Sequence, residues 1–136
     1  MTRDEILKLE GRELDALIAE HVMGWENIYF VNHGKEIDGK WKITQKILMG
    51  TTVDDDGIPI AVDKYVPNYS TQISAAWQVV EKMIADHAFI NISHGGEHWT
   101  LNYTIPKLYE DGMYDYAHGE TAPLAICKAA LLAVLT

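Results

Sequence analysis

A single cysteine, Cys127, stands among 136 residues, so no disulfide can form within the chain. It falls on the apolar face of the last expected helix, where burial as a small hydrophobe is expected rather than reactivity. Positive charge is scarce. Eleven lysines and arginines face twenty aspartates and glutamates, for a net charge of −9, and such a balance disfavours sequence-independent DNA binding. No stretch is apolar for long enough to span a bilayer. The start, Met1-Thr2-Arg3-Asp4-Glu5, carries acids where a secretory signal needs a basic start and an apolar core, so cytoplasmic residence is expected. Internal repeats, low-complexity tracts and linkers are missing, and the length fits one domain over 1–136. Also missing are a Ser-His-Asp order, a nucleophile elbow, a phosphate loop and a dinucleotide fingerprint. No catalytic residue is assigned and no cofactor is called for.

What is present is an alternation of helical and strand periods. Leu7, Leu14, Leu17, Ile18 and Val22 recur at helical spacing, predicting a first helix over 2–22 whose middle Gly11 weakens, so that its regular part starts near Arg12, and whose exit Gly24 suits. Ile28 to Val31 reads as a short strand and His33 to Gly39 as a turn. Trp41, Ile43, Ile47 and Met49 then alternate with Lys40, Lys42, Thr44 and Lys46. Asp54-Asp55-Asp56-Gly57 is a second turn, followed by an edge strand interrupted by Pro59. Ile73, Ala76, Trp77, Val80 and Ile84 mark a second helix. Strands return at 89–92 and 99–105, with a turn over 93–98, and at 113–118. Pro123 opens a closing helix that buries Ile126, Cys127, Ala130, Leu131 and Val134. The order predicts an α+β fold, an antiparallel-rich sheet with helices packed on its faces.

Three pieces of this chain carry a family resemblance. They are Leu14-Asp15-Ala16-Leu17-Ile18-Ala19-Glu20-His21-Val22-Met23-Gly24-Trp25; Tyr69-Ser70-Thr71 with Ala75-Ala76-Trp77 and Val80-Glu81-Lys82-Met83; and Thr121-Ala122-Pro123-Leu124-Ala125-Ile126-Cys127-Lys128-Ala129-Ala130-Leu131. In this order they resemble the phage ABA sandwich domain family of small phage and prophage proteins. The resemblance implies an α-β-α sandwich. It does not fix an activity.

Candidate binding residues follow from local chemistry. Ser70-Thr71 and Thr121 each precede an amphipathic helix and read first as N-caps. Helix N-termini also attract phosphate, and Tyr69 offers a ring for stacking, so Tyr69, Ser70, Thr71 and Thr121 are the first candidates. Lys40, Lys42 and Lys46 fall on one side of the expected strand, a local basic strip from which Lys42 and Lys46 are chosen. Trp41, Trp77 and Trp99 lie in apolar register and are expected in the core. Trp25, at an element boundary, is the fairer stacking candidate. Tyr114, Tyr116 and His118 share a strand face, from which His118 is chosen. His94-Gly95-Gly96-Glu97-His98 reads as a turn rather than a metal site.

The expected function is non-enzymatic binding of a small anionic ligand by a homo-oligomer, without membrane or sequence-independent DNA contact. By analogy with other small phage proteins the ligand is a nucleotide immune signal, a cyclic oligonucleotide or a cyclic ADP-ribose isomer, sequestered to counter bacterial anti-phage defence in the host cytoplasm. The alternatives are an acidic accessory protein that blocks a host factor, and a small metal-dependent hydrolase using the histidines with Glu97 or Glu120.

Overall fold

A computed structural model describes residues 1–135. The chain opens with α1 (Arg3–Leu7) and α2 (Gly11–Leu17), and α2 runs on into a π-helical turn over Ile18–Val22. The helix expected over 2–22 is therefore broken, and Gly11 at the break takes φ +62°, a conformation that strains any residue with a Cβ. Three antiparallel strands follow, β1 (Glu26–Ile37), β2 (Lys40–Val53) and β3 (Pro59–Tyr65), paired in that order. After α3 (Ile73–Ala85) a second antiparallel sheet forms from β4 (Phe89–Gly95), β5 (His98–Thr104) and β6 (Asp115–Gly119), with the short α4 (Pro106–Tyr109) between β5 and β6. Helix α5 (Ala122–Leu135) closes the chain. The result is an α+β sandwich, built on two small sheets.

Helix α5 is the centre of the core. It buries residues on every side, among them Ala125, Ile126, Cys127, Ala129, Ala130, Leu131 and Leu132, as a helix apolar all round must. Strands β5 and β6 cover one side, and α3, α1, α2 and the π turn cover the others. Gly119 permits the close approach to β6, because a Cβ there would lie 2.5 Å from the Ala125 nitrogen. Thr121 caps the helix as expected, its Oγ1 accepting the Leu124 N–H at 3.3 Å. Val134 departs from the expectation and is exposed.

Three other expectations are corrected. The turn placed at 33–39 contracts to Asp38-Gly39, both at positive φ, the pair a two-residue hairpin turn requires. β1 consequently runs straight through His33 and Gly34. On α3 the buried side is Ala75, Ala76, Val79, Val80 and Met83, while Ile73, Trp77 and Ile84 point outward. Small side chains let α3 and α5 come together, and the indole of Trp77 is too large for that seam. The tryptophans are nearly inverted: Trp41 is 68% and Trp77 51% exposed, Trp99 is half-buried, and Trp25 is 7% exposed in the core.

The β1–β3 sheet touches the rest of the molecule along a narrow seam. Leu48 is fully buried there, Val66 donates its N–H to the Leu48 carbonyl at 3.0 Å, and Trp25 and Ile28 lie over Gly50. Further out, β1 and β2 form a two-stranded arm. Its ladder shifts between His33 and Gly34, which face Gln45 and Ile43 and leave Thr44 as the surplus residue of a bulge. The bulge breaks the expected lysine strip. Lys46, opposite Asn32, shares a face with Phe30 and Leu48, whereas Lys42 and Lys40, opposite Lys35 and Ile37, lie on the other face.

Candidate functional site

Where the arm leaves the body, a cleft of ≈ 580 Å³ opens, lined by Arg12, His33, Gln45, Lys46, Tyr65 and Asn68 with Ile47, Leu48 and Val66 at its base. Its volume lies in the range of small-molecule sites. Arg12 comes from the first turn of α2 and is fixed by four bonds. Its Nη1 donates to Asp15 Oδ2 at 2.8 Å, Asn68 Oδ1 at 2.8 Å and the Pro67 carbonyl at 3.0 Å, and its Nη2 donates to the Val66 carbonyl at 2.7 Å. Asp15 is 1% exposed, and its other oxygen accepts the Ser70 N–H at 2.7 Å. A buried carboxylate held this way requires its cation, so Arg12 both clamps the 66–70 loop to α2 and tempers its own charge. Lys46 supplies free charge. Its Nζ sits 5.3 Å from the Phe30 ring centroid, and among the described residues no carboxylate lies in ion-pair reach of it.

The residues singled out from sequence do not converge. Tyr69 and Ser70 are buried behind the cleft. Ser70 Oγ donates to the Gly11 carbonyl at 3.2 Å, so the side chain expected to cap α3 ties the loop to α2 instead. The α3 cap position is Gln72, which makes no side-chain capping bond, and Thr71 is exposed. Burial pushes the Tyr69 phenol up to about 12, against the opposing hydrogen bond from Trp25. Trp25 is thus a core partner of Tyr69. Thr121 caps α5, Lys42 lies further out on the arm, and His118 sits on the exposed face of the second sheet. Of the eight, Lys46 alone lines the cleft.

Sequence reasoning misses Arg12, His33, Gln45, Tyr65 and Asn68. They are scattered over several segments with no motif spacing, and the bulge and the Asp15 clamp bring them together. A positively charged side chain placed just after a helix-breaking glycine, as Arg12 is after Gly11, is the one available signal.

Two other places stand apart from the cleft. On the second sheet, His118 packs against Tyr116 at 5.1 Å and His98 at 5.6 Å between ring centroids, and Thr100 Oγ1 lies 2.8 Å from His118 Nδ1. No three His, Cys, Asp or Glu side chains gather to hold a metal among the described residues. An apolar cavity of ≈ 260 Å³ lies between Val22, Met83, Ile105 and Ala130, with few polar groups to orient a charged ligand. Cys127 is buried, and burial pushes its thiol well above the ordinary value, which keeps it protonated and unreactive.

The architecture and cleft define a class first: a small α+β sandwich with an open cleft edged by basic side chains in an acidic chain. Residues 16–131 match the model of the phage ABA sandwich domain, and the chain belongs to that family. It is accordingly a small phage-type protein. No curated protein and no solved structure matches the chain. Among the described residues no helix is long and apolar enough to cross a membrane.

Proposed function

We propose that this protein binds a small anionic ligand in the Arg12–His33–Lys46 cleft and holds it without chemical change. One observation carries the reading: in a chain of net charge −9, three nitrogen bases from separate segments line a single cleft. Lys46 offers a point charge to phosphate and the clamped Arg12 a second, partly neutralised one, while His33 and Gln45 edge the cleft from the opposite face of the ladder, Asn68 adds an amide, and Tyr65 an exposed ring for stacking. Among the cleft's side chains there is no paired nucleophile and base to act on what binds. A nucleotide signal of bacterial immunity, a cyclic oligonucleotide or cyclic ADP-ribose isomer, is the ligand class that joins this chemistry to a phage family, and sequestration in the host cytoplasm is the role. Ser70 then acts from behind, its backbone N–H holding Asp15 and so Arg12.

A thermal-shift panel of cyclic dinucleotides, cyclic trinucleotides and cyclic ADP-ribose isomers tests this. One class raises the melting temperature, and mass spectrometry recovers it unaltered after heat denaturation. His33→Ala with Lys46→Glu abolishes the shift, while Thr71→Ala leaves it unchanged. No shift with any member overturns the reading, and recovery of a cleaved product replaces sequestration with hydrolysis.

A further inference from the structure

The outer face of the second sheet, away from the cleft, is unusual for so charged a chain. Its strand positions, among them Asn91, Ser93, Thr100, Asn102, Tyr116 and His118, include no lysine, arginine or carboxylate, although 23% of the residues are charged. On this face two imidazoles stand side by side. Thr100 pairs with His118 across the β5–β6 ladder, so His98, two residues before Thr100, is the diagonal neighbour of His118 on the same face. The ring centroids are 5.6 Å apart with the planes inclined at 38°, and both side chains are exposed.

We infer that His98 and His118 chelate one divalent transition-metal ion, of the copper, zinc or nickel kind, with water completing its shell. Two imidazoles bound to one tetrahedral ion through nitrogens about 2.1 Å away have centroids roughly 5.3 Å apart. The observed pair therefore needs to close by only a few tenths of an ångström, and exposed rings have that freedom. Thr100 selects the nitrogen. Its Oγ1 lies 2.8 Å from His118 Nδ1, and when that hydroxyl accepts the Nδ1 proton, Nε2 keeps its lone pair for the metal, as outer hydrogen bonds arrange for metal-bound histidines. Tyr116, 5.1 Å from His118 between centroids, steadies the same ring. The surroundings favour a cation. No ammonium stands at the face's strand positions to repel it, Arg3 beside Tyr116 is matched by Asp115 at 2.6 Å, and the charge of −9 concentrates cations around the chain. Nitrogen donors decide the class, because magnesium and calcium take oxygen. With two protein ligands rather than the three or four of a closed site, the ion exchanges readily with solvent.

Calorimetric titration of the untagged protein with Cu²⁺, Zn²⁺ and Ni²⁺ is expected to show one site per chain, tightest for Cu²⁺, and no binding of Mg²⁺. Paramagnetic Cu²⁺ broadens the amide NMR signals around His98, Thr100 and His118 first. His98→Ala and His118→Ala each weaken binding about 10-fold or more and Thr100→Val about 10-fold, while His21→Ala, His87→Ala and His94→Ala leave it unchanged. The broadening is read on the wild-type chain, so the test stands even where a variant folds poorly. No binding of any of the three ions up to about 1 mM overturns the inference. So does Mg²⁺ bound as tightly as Zn²⁺, which places the ion on the acidic surface, and so does broadening centred away from His98 and His118 or an affinity that survives both histidine variants.

Discussion

The β4–β6 sheet presses Leu101, Tyr103 and Ala117 onto α5, while the β1–β3 sheet, also three antiparallel strands, leaves Ile60, Val62, Tyr65 and Trp41 in solvent. Both are rich in the β-branched and aromatic residues that suit strands. They differ in what lies against them. Strand alternation tells which residues share a face; only tertiary structure tells whether that face is covered. Burial on the second sheet stabilises the fold, whereas the exposed apolar side chains on the first add little to it.

The contrast breaks most sharply at its junction. Asp15→Ala leaves Arg12 without its carboxylate and the Ser70 N–H without its acceptor, and is expected to cost about 3–5 kcal/mol in urea denaturation. Leu131→Ala, in fully buried α5, costs about 2–5 kcal/mol by the same measurement, against within about 0.5 kcal/mol for Ile60→Ala on exposed β3. Equal losses at the two positions would show that the first sheet is covered within the monomer. Gly34→Ala comes next. A Cβ there would stand 2.5 Å from the Lys42 carbonyl and 2.8 Å from the Trp41 ring, so about 1–3 kcal/mol and a shifted Trp41 fluorescence are expected, with the body's melting little altered.

Titration sharpens the comparison further, because shifted groups concentrate in the body. Burial raises the phenols of Tyr69, to about 12, and Tyr103 above the ordinary value near 10. A raised folded value contributes stability fully present below about pH 10 and lost as pH climbs toward 12. Tyr69→Phe should flatten that loss in alkaline melts. The smallest effect belongs to Asp115. Burial works to raise its carboxyl, but the Arg3 guanidinium at 2.6 Å and the Tyr116 N–H at 2.8 Å outweigh burial and hold it below the usual value. Its stabilisation is present above the unfolded carboxylate value and lost as pH falls through the folded one. The pair is partly exposed, so Arg3→Ala should reduce acid resistance by only about 0.2–1 kcal/mol.

Much of the body is legible in the amino-acid sequence. The closing helix, its Thr121 cap and the burial of Cys127 follow from local spacing, which helix geometry enforces directly, and the family is legible in the three pieces that resemble it. The turn at Asp38-Gly39 is obscured because His33 and Gly34 look like turn residues, yet Gly34 sits inside β1 to make room for the Trp41 ring. Trp77 is misplaced because helical period fixes a stripe but not which stripe faces inward when alanines compete with large side chains. The cleft is invisible for a further reason. Arg12 is aimed by Asp15, Asn68 and two backbone carbonyls, and three of those four acceptors come from residues 66–68.

Thr44 has a genetic consequence. A strand carrying one residue more than its partner needs contains slack, and the ladder on either side of the bulge already closes correctly on the Asp38-Gly39 turn. Loss of the Thr44 codon would regularise the ribbon and leave Trp41 and Ile43 opposite the same neighbours. A deletion in the regular ladder between Val31 and His33 has no such refuge and turns every later side chain to the opposite face. In a lineage that accumulates short in-frame deletions, the bulge marks a place along the arm where length can change while its chemistry stays the same.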